Sequence, residues 1–222
     1  MKLVVINGSP KGRRSNTDII VRSLLRGAEE AGARTTNIFL AEKNINHCNG
    51  CVTCWVDNPG RCVIDDDMME IISQLGDADV IILATPIYCE NMTSLLKVFI
   101  DRLTVVANPY SYVNANSKQH GPQELTPQSP KLMMISNCGF PDKEVFGVLA
   151  HWYRRFSMNM NSESIGEIYV TRGKYLGSPP DDLKPAVADY LEIVARAGQE
   201  IATTLRISEG TKTLLDKPFT TK

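Results

Sequence analysis

The chain has 222 residues, a hydrophobic fraction of 43% and a formal net charge of -1. Its length suits one α/β domain with a sizeable core, and its composition argues against disorder. The balanced charge excludes a nucleic-acid or membrane-surface protein, because such binding needs clustered positive charge. No apolar run reaches the roughly 20 residues of a membrane span, and the apolar N-terminus is too short for a signal peptide. We therefore expect a cytoplasmic protein without a membrane partner.

Short apolar runs alternate with amphipathic stretches along the chain. In chain order the pattern predicts a strand at 3–6, a helix at 16–31, a strand at 36–40, a helix at 68–75, a strand at 80–84, a helix at 95–103, a strand at 132–135, a helix at 143–160, a strand at 165–170 and a helix at 187–205. Thr85 and Pro86 are expected to end the third strand. This alternation predicts an α/β fold with a parallel sheet covered on both faces.

The connections define the domain organisation. We predict a single domain over residues 1–206, with a cysteine-rich insertion at about 41–66 and a C-terminal tail at 207–222 that lacks helical periodicity. Residues 104–130 are rich in Asn, Ser, Gln and Pro and are expected to form a long loop. The insertion is too long to be a mere connector, so we expect it to be functional.

A polar loop joins the first strand to the first helix, with the sequence GSPKGRRSNT at 8–17. A helix N-terminus offers free N–H groups and a positive dipole end, which suit a phosphate. The loop lacks the glycine spacing of the P-loop and of the dinucleotide fingerprint, so neither an NTPase nor a Rossmann dehydrogenase is supported. The predicted donors and charges come from Ser9, Lys11, Ser15, Asn16 and Thr17.

A second loop, TPIYCENM at 85–92, follows the third strand. In an open parallel sheet, ligands bind beyond the carboxyl ends of the strands, where the strand order reverses. We therefore expect this loop and the loop at 8–17 to meet at one ligand. Asn137 and Gly139, which follow the fourth strand, are predicted to form the far wall of the same crevice.

The motifs at 8–17, at 85–88 and at 96–103 (LKVFIDRL) together resemble those of the NAD(P)H-dependent FMN reductases of flavodoxin-like fold. The match is close in the first half of the chain. The resemblance implies a five-stranded parallel sheet of order 2-1-3-4-5, FMN as cofactor, NAD(P)H as reductant and a homodimer or homotetramer. It also implies that Ser9, Ser15, Asn16 and Thr17 hold the phosphate, and that the ring and ribityl chain are lined by Pro86, Ile87, Tyr88, Asn91 and Met92.

Four cysteines lie close together in the insertion, at Cys48, Cys51, Cys54 and Cys62. Thiolates are soft ligands, and three closely spaced cysteines plus a fourth are typical of cluster binding. The motif resembles that of the iron–sulfur flavoproteins, which implies a 4Fe–4S cluster held by these four residues. A zinc ion, a thiol redox pair and uncoordinated cysteines are alternatives.

No nucleophile–base pair stands out, so we predict no catalytic acid or base and leave the chemistry to the flavin. The acidic run Asp65-Asp66-Asp67 is expected to cap a helix, and Cys89 and Cys138 to be small buried side chains. We predict an oxidoreductase that passes electrons from NAD(P)H or a ferredoxin-like carrier through FMN to a small-molecule acceptor. The alternatives are a non-enzymatic electron carrier and a non-redox binding protein.

Overall fold

A computed structural model describes residues 1–106 and 130–220, so most of the predicted loop at 104–130 lies outside the described residues. The strands are β1 Lys2–Asn7, β2 Arg34–Phe39, β3 Val80–Pro86, β4 Lys131–Asn137 and β5 Ser164–Val170. The helices are α1 Asn16–Glu30, α2 Met68–Leu75, α3 Ser94–Arg102, α4 Gly147–Asn159, α5 Lys174–Gly177, α6 Lys184–Thr204 and α7 Glu209–Asp216. Short 3-10 helices lie at Gly12–Arg14, Leu40–Glu42, Leu103–Val106, Lys143–Phe146 and Asp181–Leu183.

The described strands form one five-stranded parallel sheet in the order β2-β1-β3-β4-β5, as the sequence predicts. The strand order reverses between β1 and β3, which pair with each other from Leu3 to Asn7. The carboxyl end of β1 therefore lies beside that of β3, with Asn7 opposite Ala84. The loops that follow these two strands are neighbours for that reason.

Each face of the sheet carries its own hydrophobic core, because side chains alternate between the two faces of a strand. Leu3 and Val5 point to the core formed with α1 and α6. Val4 and Ile6 point to the core formed with α2, α3 and α4. The fully apolar sequence of β1 is thus explained by burial on both sides. None of the described helices is long and apolar enough to cross a membrane.

The structure corrects two predictions about element ends. Thr85 and Pro86 do not end the third strand but belong to it, and Pro86 lies opposite Asn137. Proline is tolerated here because it is the last residue of the strand, where a missing N–H breaks little of the ladder. The second strand covers Arg34–Phe39 rather than 36–40, since Leu40 begins a 3-10 helix.

The tail after residue 206 contains the helix α7, which the sequence did not predict. Ser208 caps α7 by accepting a hydrogen bond from the N–H of Thr211. Ile207 and Leu215 are buried, and the hydroxyl of Tyr190 in α6 donates to the carbonyl of Leu215 at 3.2 Å. The only large apolar residues of α7 are the adjacent Leu214 and Leu215, so its sequence lacks the helical spacing of apolar residues that predicted α2.

Helix α1, which begins at the polar loop, packs closely against α6. A Cβ added to Gly27 would lie 1.8 Å from the carbonyl oxygen of Ala195, and one added to Gly198 would lie 1.9 Å from that of Leu24. Both helices therefore need glycine at the crossing, where backbone meets backbone. This contact fixes the position of α1 and hence of the loop at its N-terminus.

We expect Gly27→Ala to lower the free energy of unfolding by about 2 kcal/mol or more, because the new methyl group meets backbone that cannot rotate away. Urea denaturation of both proteins gives the difference. Gly210→Ala in α7 is the matched control, because a Cβ there meets nothing within 4 Å. A Gly27→Ala protein as stable as the control would contradict this account of the α1–α6 contact.

Candidate functional site

The loops after β1 and β3 are joined at Gly8. The N–H of Gly8 donates to the carbonyl of Ala84 at 2.8 Å, and the Thr93 hydroxyl donates to the carbonyl of Gly8 at 2.6 Å. A Cβ on Gly8 would lie 2.7 Å from Cβ of Leu96, so the loop approaches α3 this closely only with glycine. Thr93 also caps α3 by accepting from the N–H of Leu96. One threonine thus ties the two candidate ligand loops together.

The loop at 8–17 forms a compact cradle at the start of α1. Ser15 is the N-cap, and its hydroxyl accepts from the N–H of Asp18 at 3.0 Å. Asn16 and Thr17 open the helix, and N–H groups in a first turn have no acceptor within the helix. Ser9 and Ser15 are buried beneath the loop. The cradle therefore presents backbone donors and a positive helix end to a ligand.

The basic side chains of this loop are not equivalent. Arg13 pairs with Glu42 at 2.9 Å and lies 4.4 Å from the centre of the Phe39 ring. The positive charge of Arg13 is therefore largely neutralised by Glu42. Lys11 is exposed, and none of the hydrogen bonds or ion pairs among the described residues engages its ammonium group.

Asn7 supplies an unpaired donor at the base of the cradle. It is 0% exposed, and its Oδ1 accepts from the N–H of Ser9 at 3.1 Å. Its Nδ2 is buried without a hydrogen-bond partner among the described residues. Buried polar atoms are almost always paired, so an orphan here fits a ligand that brings an acceptor. An FMN phosphate or ribityl hydroxyl has that chemistry.

The loop after β3 is held in a tight turn. Tyr88 and Asn91 exchange backbone hydrogen bonds at 2.8 and 3.0 Å. Between them Cys89 and Glu90 adopt φ values of 48° and 60°, as in the two-residue turns of hairpins. The Tyr88 ring is 48% exposed, so it is available to pack on a ligand. Cys89 is exposed as well, which corrects the prediction that it is buried, whereas Cys138 is buried as expected.

Asn137, the last residue of β4, contacts both the loop after β1 and the loop after β3. Its Oδ1 accepts from the Thr17 hydroxyl at 2.6 Å, and its carbonyl accepts from the N–H of Ile87 at 2.9 Å. The structure thus brings the ends of β1, β3 and β4 together around one rim. Gly139 is exposed and takes no part in these contacts. Of the other predicted residues, four lie in the loop after β1 and three in the loop after β3, while Pro86 ends β3 and Met92 is buried in the core beside α3; the loop residues are Ser9, Ser15, Asn16, Thr17, Ile87, Tyr88 and Asn91.

The cysteine loop is built from turns. The carbonyl of Val52, at φ 53°, accepts from the N–H groups of Trp55 and Val56, and the carbonyl of Cys54 accepts from the N–H of Gly60. Cys48 and Cys51 are exposed, while Cys54 and Cys62 are half-buried. Across the described ranges 1–106 and 130–220, no three His, Cys, Asp or Glu side chains stand in a geometry that could hold a metal ion.

The environment of the loop changes the pKa of two of its thiols, Cys54 and Cys51. Burial raises the pKa of Cys54, and the negative charges of Cys62, Cys51 and Cys48 raise it further. A hydrogen bond to Thr53 lowers the pKa of Cys51. When deprotonated, cysteine sulfurs are soft, anionic metal ligands. A metal centre with sulfur ligands has the charge and softness that this donor set calls for.

A buried ion pair beneath the cysteine loop was not found by sequence reasoning. Arg102 and Asp66 have side chains that are 1% and 0% exposed, and Arg102 Nη1 lies 2.6 Å from Asp66 Oδ2. Asp66 also accepts from the N–H groups of Asn46 at 2.9 Å and Met68 at 3.1 Å. Burial opposes ionisation of Asp66, but these hydrogen bonds outweigh it and lower its pKa to about 2.

The sequence contains a partial signal for this pair. The capping prediction for the acidic run is correct for Asp66, whose carboxylate accepts from Met68 at the start of α2. Asp67 occupies the N-cap position but makes no side-chain cap. Arg102 interrupts the apolar stripe of α3, and a charge on a buried helix face calls for a partner. The partner is Asp66, which lies 36 residues away in the sequence, and only the fold shows that the two residues meet.

Comparison with known proteins is consistent with this geometry. Residues 1–129 match the NADPH-dependent FMN reductase family. An iron–sulfur flavoprotein of Methanocaldococcus jannaschii is 40% identical over 102 residues, which are 46% of this chain and 51% of that protein. Another, of Archaeoglobus fulgidus, is 38% identical over 46% of each chain. The chain thus spans about half the length of these two relatives. One from Methanosarcina thermophila is 32% identical over 58% of this chain and 70% of the relative.

Solved structures share the fold at low sequence identity. The NAD(P)H:quinone oxidoreductase of Methanothermobacter marburgensis has a TM-score of 0.63 and 16% identity, with 90% of this chain and 96% of that chain covered. An FMN-dependent NADH-azoreductase of Bacillus anthracis, solved with FMN, has a TM-score of 0.61 and 15% identity, with 92% and 99% covered. At such identity the likeness shows the fold alone.

We expect Asp66→Asn to destabilise the fold by about 3–5 kcal/mol, because it leaves a buried guanidinium without its counter-charge. Since the pKa of Asp66 falls from 3.8 to about 2 on folding, its ionisation stabilises the native state above about pH 4, and that stabilisation is lost as the pH falls toward 2. The difference in the free energy of unfolding between wild type and variant should therefore become smaller as the pH falls from about 4 toward 2.

Unfolding curves at several pH values measure this effect. Asp65→Asn, at an exposed neighbouring position, is the control and should change stability by less than about 0.5 kcal/mol. Equal stability of the two variants at neutral pH would show that the ion pair is not the anchor described here.

Proposed function

Because the chain belongs to the NADPH-dependent FMN reductase family, we propose that it is an FMN-dependent oxidoreductase. In this proposal NAD(P)H or a ferredoxin-like carrier supplies electrons, and a small-molecule acceptor receives them. The FMN-binding domain covers residues 1–206, and FMN lies above the ends of β1 and β3. The observation that carries the proposal is the convergence of the loops after β1, β3 and β4 around one rim with an orphan buried donor at Asn7.

Bound FMN supplies the redox chemistry, namely acceptance of a hydride from a nicotinamide and transfer of electrons to an acceptor. The protein's part is to bind and orient it. Ser9, Ser15, Asn16 and Thr17 hold the phosphate at the start of α1, where the helix end favours negative charge. Lys11 adds positive charge from the rim. The buried amide of Asn7 donates to an oxygen of the cofactor, which satisfies the orphan Nδ2.

The loop after β3 orients the ring. Its backbone is fixed by the turn between Tyr88 and Asn91 and by the hydrogen bond from Ile87 to Asn137. Pro86, Ile87 and Tyr88 line the ring edge, and Asn91 and Met92 support the ribityl chain. Because these hydrogen bonds form without the cofactor, little further ordering of the loop is needed when FMN binds. Gly139 leaves the far wall open to an acceptor.

We propose further that Cys48, Cys51, Cys54 and Cys62 hold a 4Fe–4S cluster. Support comes from the soft-ligand chemistry of four closely spaced cysteines and from relatives named iron–sulfur flavoproteins. We place the chain in the cytoplasm, a reducing compartment in which closely spaced cysteines serve as metal ligands more often than they form disulfides. A homodimer or homotetramer would bring the cysteine loop of one subunit near the FMN of another.

Asn16→Asp should weaken FMN binding by about tenfold or more, because it places a negative charge beside the phosphate. An acidic residue at a helix N-terminus does not destabilise the helix, so the loss cannot be ascribed to unfolding. Fluorescence titration of the apoprotein with FMN measures the affinity. Asn159→Asp, the same change at an exposed position on α4, should leave the affinity unchanged. Wild-type affinity in Asn16→Asp would refute the placement of the phosphate.

Cys51→Ser should abolish the cluster and leave FMN bound, because a cluster of this kind needs four thiolate ligands. Iron, sulfide and flavin are assayed on the same anaerobically purified sample. Cys89→Ser removes a thiol outside the proposed ligand set and should retain iron and sulfide. If Cys51→Ser keeps both at the wild-type ratio, Cys51 is not a ligand.

A further inference from the structure

Arg102 makes more contacts than its ion pair requires. Its Nη1 donates to Asp66 Oδ2 at 2.6 Å and to the carbonyl of Asn46 at 2.8 Å. Its Nη2 donates to Asp66 Oδ1 at 3.0 Å and to Sγ of Cys62 at 3.4 Å. A planar guanidinium presents its donors in a fixed fork, so these four directions are set together. The contact with Cys62 links the ion pair to one of the four clustered cysteines.

The contacts span the cysteine loop from one end to the other. Asn46 lies two residues before Cys48, and Asp66 lies four residues after Cys62. A single side chain on α3 therefore closes the loop at its base and contacts a thiol inside it. Since Arg102 is 1% exposed, no water competes for these donors, and the geometry is held by buried contacts.

The same part of the chain holds the loop at a second point. Trp55, which follows Cys54, donates from Nε1 to the carbonyl of Thr104 at 2.7 Å. Cys54 and Cys62, the two half-buried cysteines, are thus each adjacent to an anchor on residues 102–104. The two exposed cysteines, Cys48 and Cys51, have no such anchor among the hydrogen bonds of the described residues.

We propose that Arg102 is a positioning residue for the metal centre, which closes the cysteine loop and donates a charge-assisted hydrogen bond to the Cys62 sulfur. The inference rests on the proposed cluster. Hydrogen bonds to ligand sulfurs and nearby positive charge favour the more negative, reduced form of an iron–sulfur centre. Arg102 therefore retains the cluster and raises its reduction potential.

The test compares Arg102→Lys with wild type after anaerobic purification of the full chain. Lysine keeps the positive charge but lacks the fork that reaches Asp66, Asn46 and Cys62 together. We expect unchanged FMN content and at least tenfold faster loss of iron to a chelator. We also expect the reduction potential of the cluster, measured by EPR during dithionite titration, to shift to more negative values. Arg155→Lys, at an exposed position on α4, should match wild type in all three measurements.

A second variant covers the case in which Arg102→Lys does not fold. Arg102→Gln combined with Asp66→Asn removes both buried charges, which proteins tolerate better than the loss of one. It also removes the guanidinium donor to Cys62. We expect faster iron loss and a potential more negative than that of wild type, because the hydrogen bond to Cys62 is lost while the net charge of the pair stays the same.

The outcomes separate this inference from the function it rests on. Wild type that holds FMN but no iron refutes the proposed cluster, and the role of Arg102 falls with it. Wild type with a cluster, and variants that lose iron at the wild-type rate with an unchanged potential, refute the role of Arg102 alone. Faster iron loss with an unchanged potential reduces Arg102 to closing the loop and overturns its hydrogen bond to the cluster sulfur.

Discussion

The arrangement of the site depends on the close approach of the β1 end to the start of α3. The carbonyl of Gly8 accepts a hydrogen bond from the Thr93 hydroxyl, and the N–H of Gly8 donates to the carbonyl of Ala84 on the neighbouring strand. Only glycine fits, since a Cβ would meet Leu96 at 2.7 Å. The reversal of strand order places the two loops side by side, and this junction fixes their distance. Without it, the cradle at α1 and the turn at Tyr88 would not face one ligand.

Within one subunit, helix α3 connects the rim at the strand ends to the base of the cysteine loop. Its N-terminus is capped by Thr93, which also bonds Gly8 at the rim, and its last residue, Arg102, contacts the cysteine loop. Nine helical residues span about 13 Å at 1.5 Å per residue. The apolar face of α3, with Leu96 and Phe99, is buried in the core, so both ends are positioned by the same packing. A rigid helix of this length keeps the cofactor rim and the cysteine loop at a fixed separation.

Patterns that are local in the sequence predicted most of the fold. The apolar run of β1 predicted a buried strand, and the capping residues before α1 predicted the start of a helix. Both predictions succeed because burial and capping depend on a few neighbouring residues. The rim was predictable because strand order alone brings the loops together. The contacts from Arg102 to Asp66 and from Thr17 to Asn137 join residues 36 and 120 positions apart, and no local pattern records them. Asn7 as an orphan donor likewise becomes visible only when its surroundings are known.

The most direct test of the account is the visible spectrum of protein purified without oxygen, with flavin, iron and sulfide assayed on the same sample. We predict the two resolved bands of a flavin over broad sulfur-to-iron absorption, with FMN, iron and sulfide all bound. Flavin bands without iron would support the proposed FMN site and contradict the proposed iron–sulfur cluster. A protein that carries no flavin and takes up none when FMN is added would contradict the central claim that the rim above β1 and β3 binds FMN.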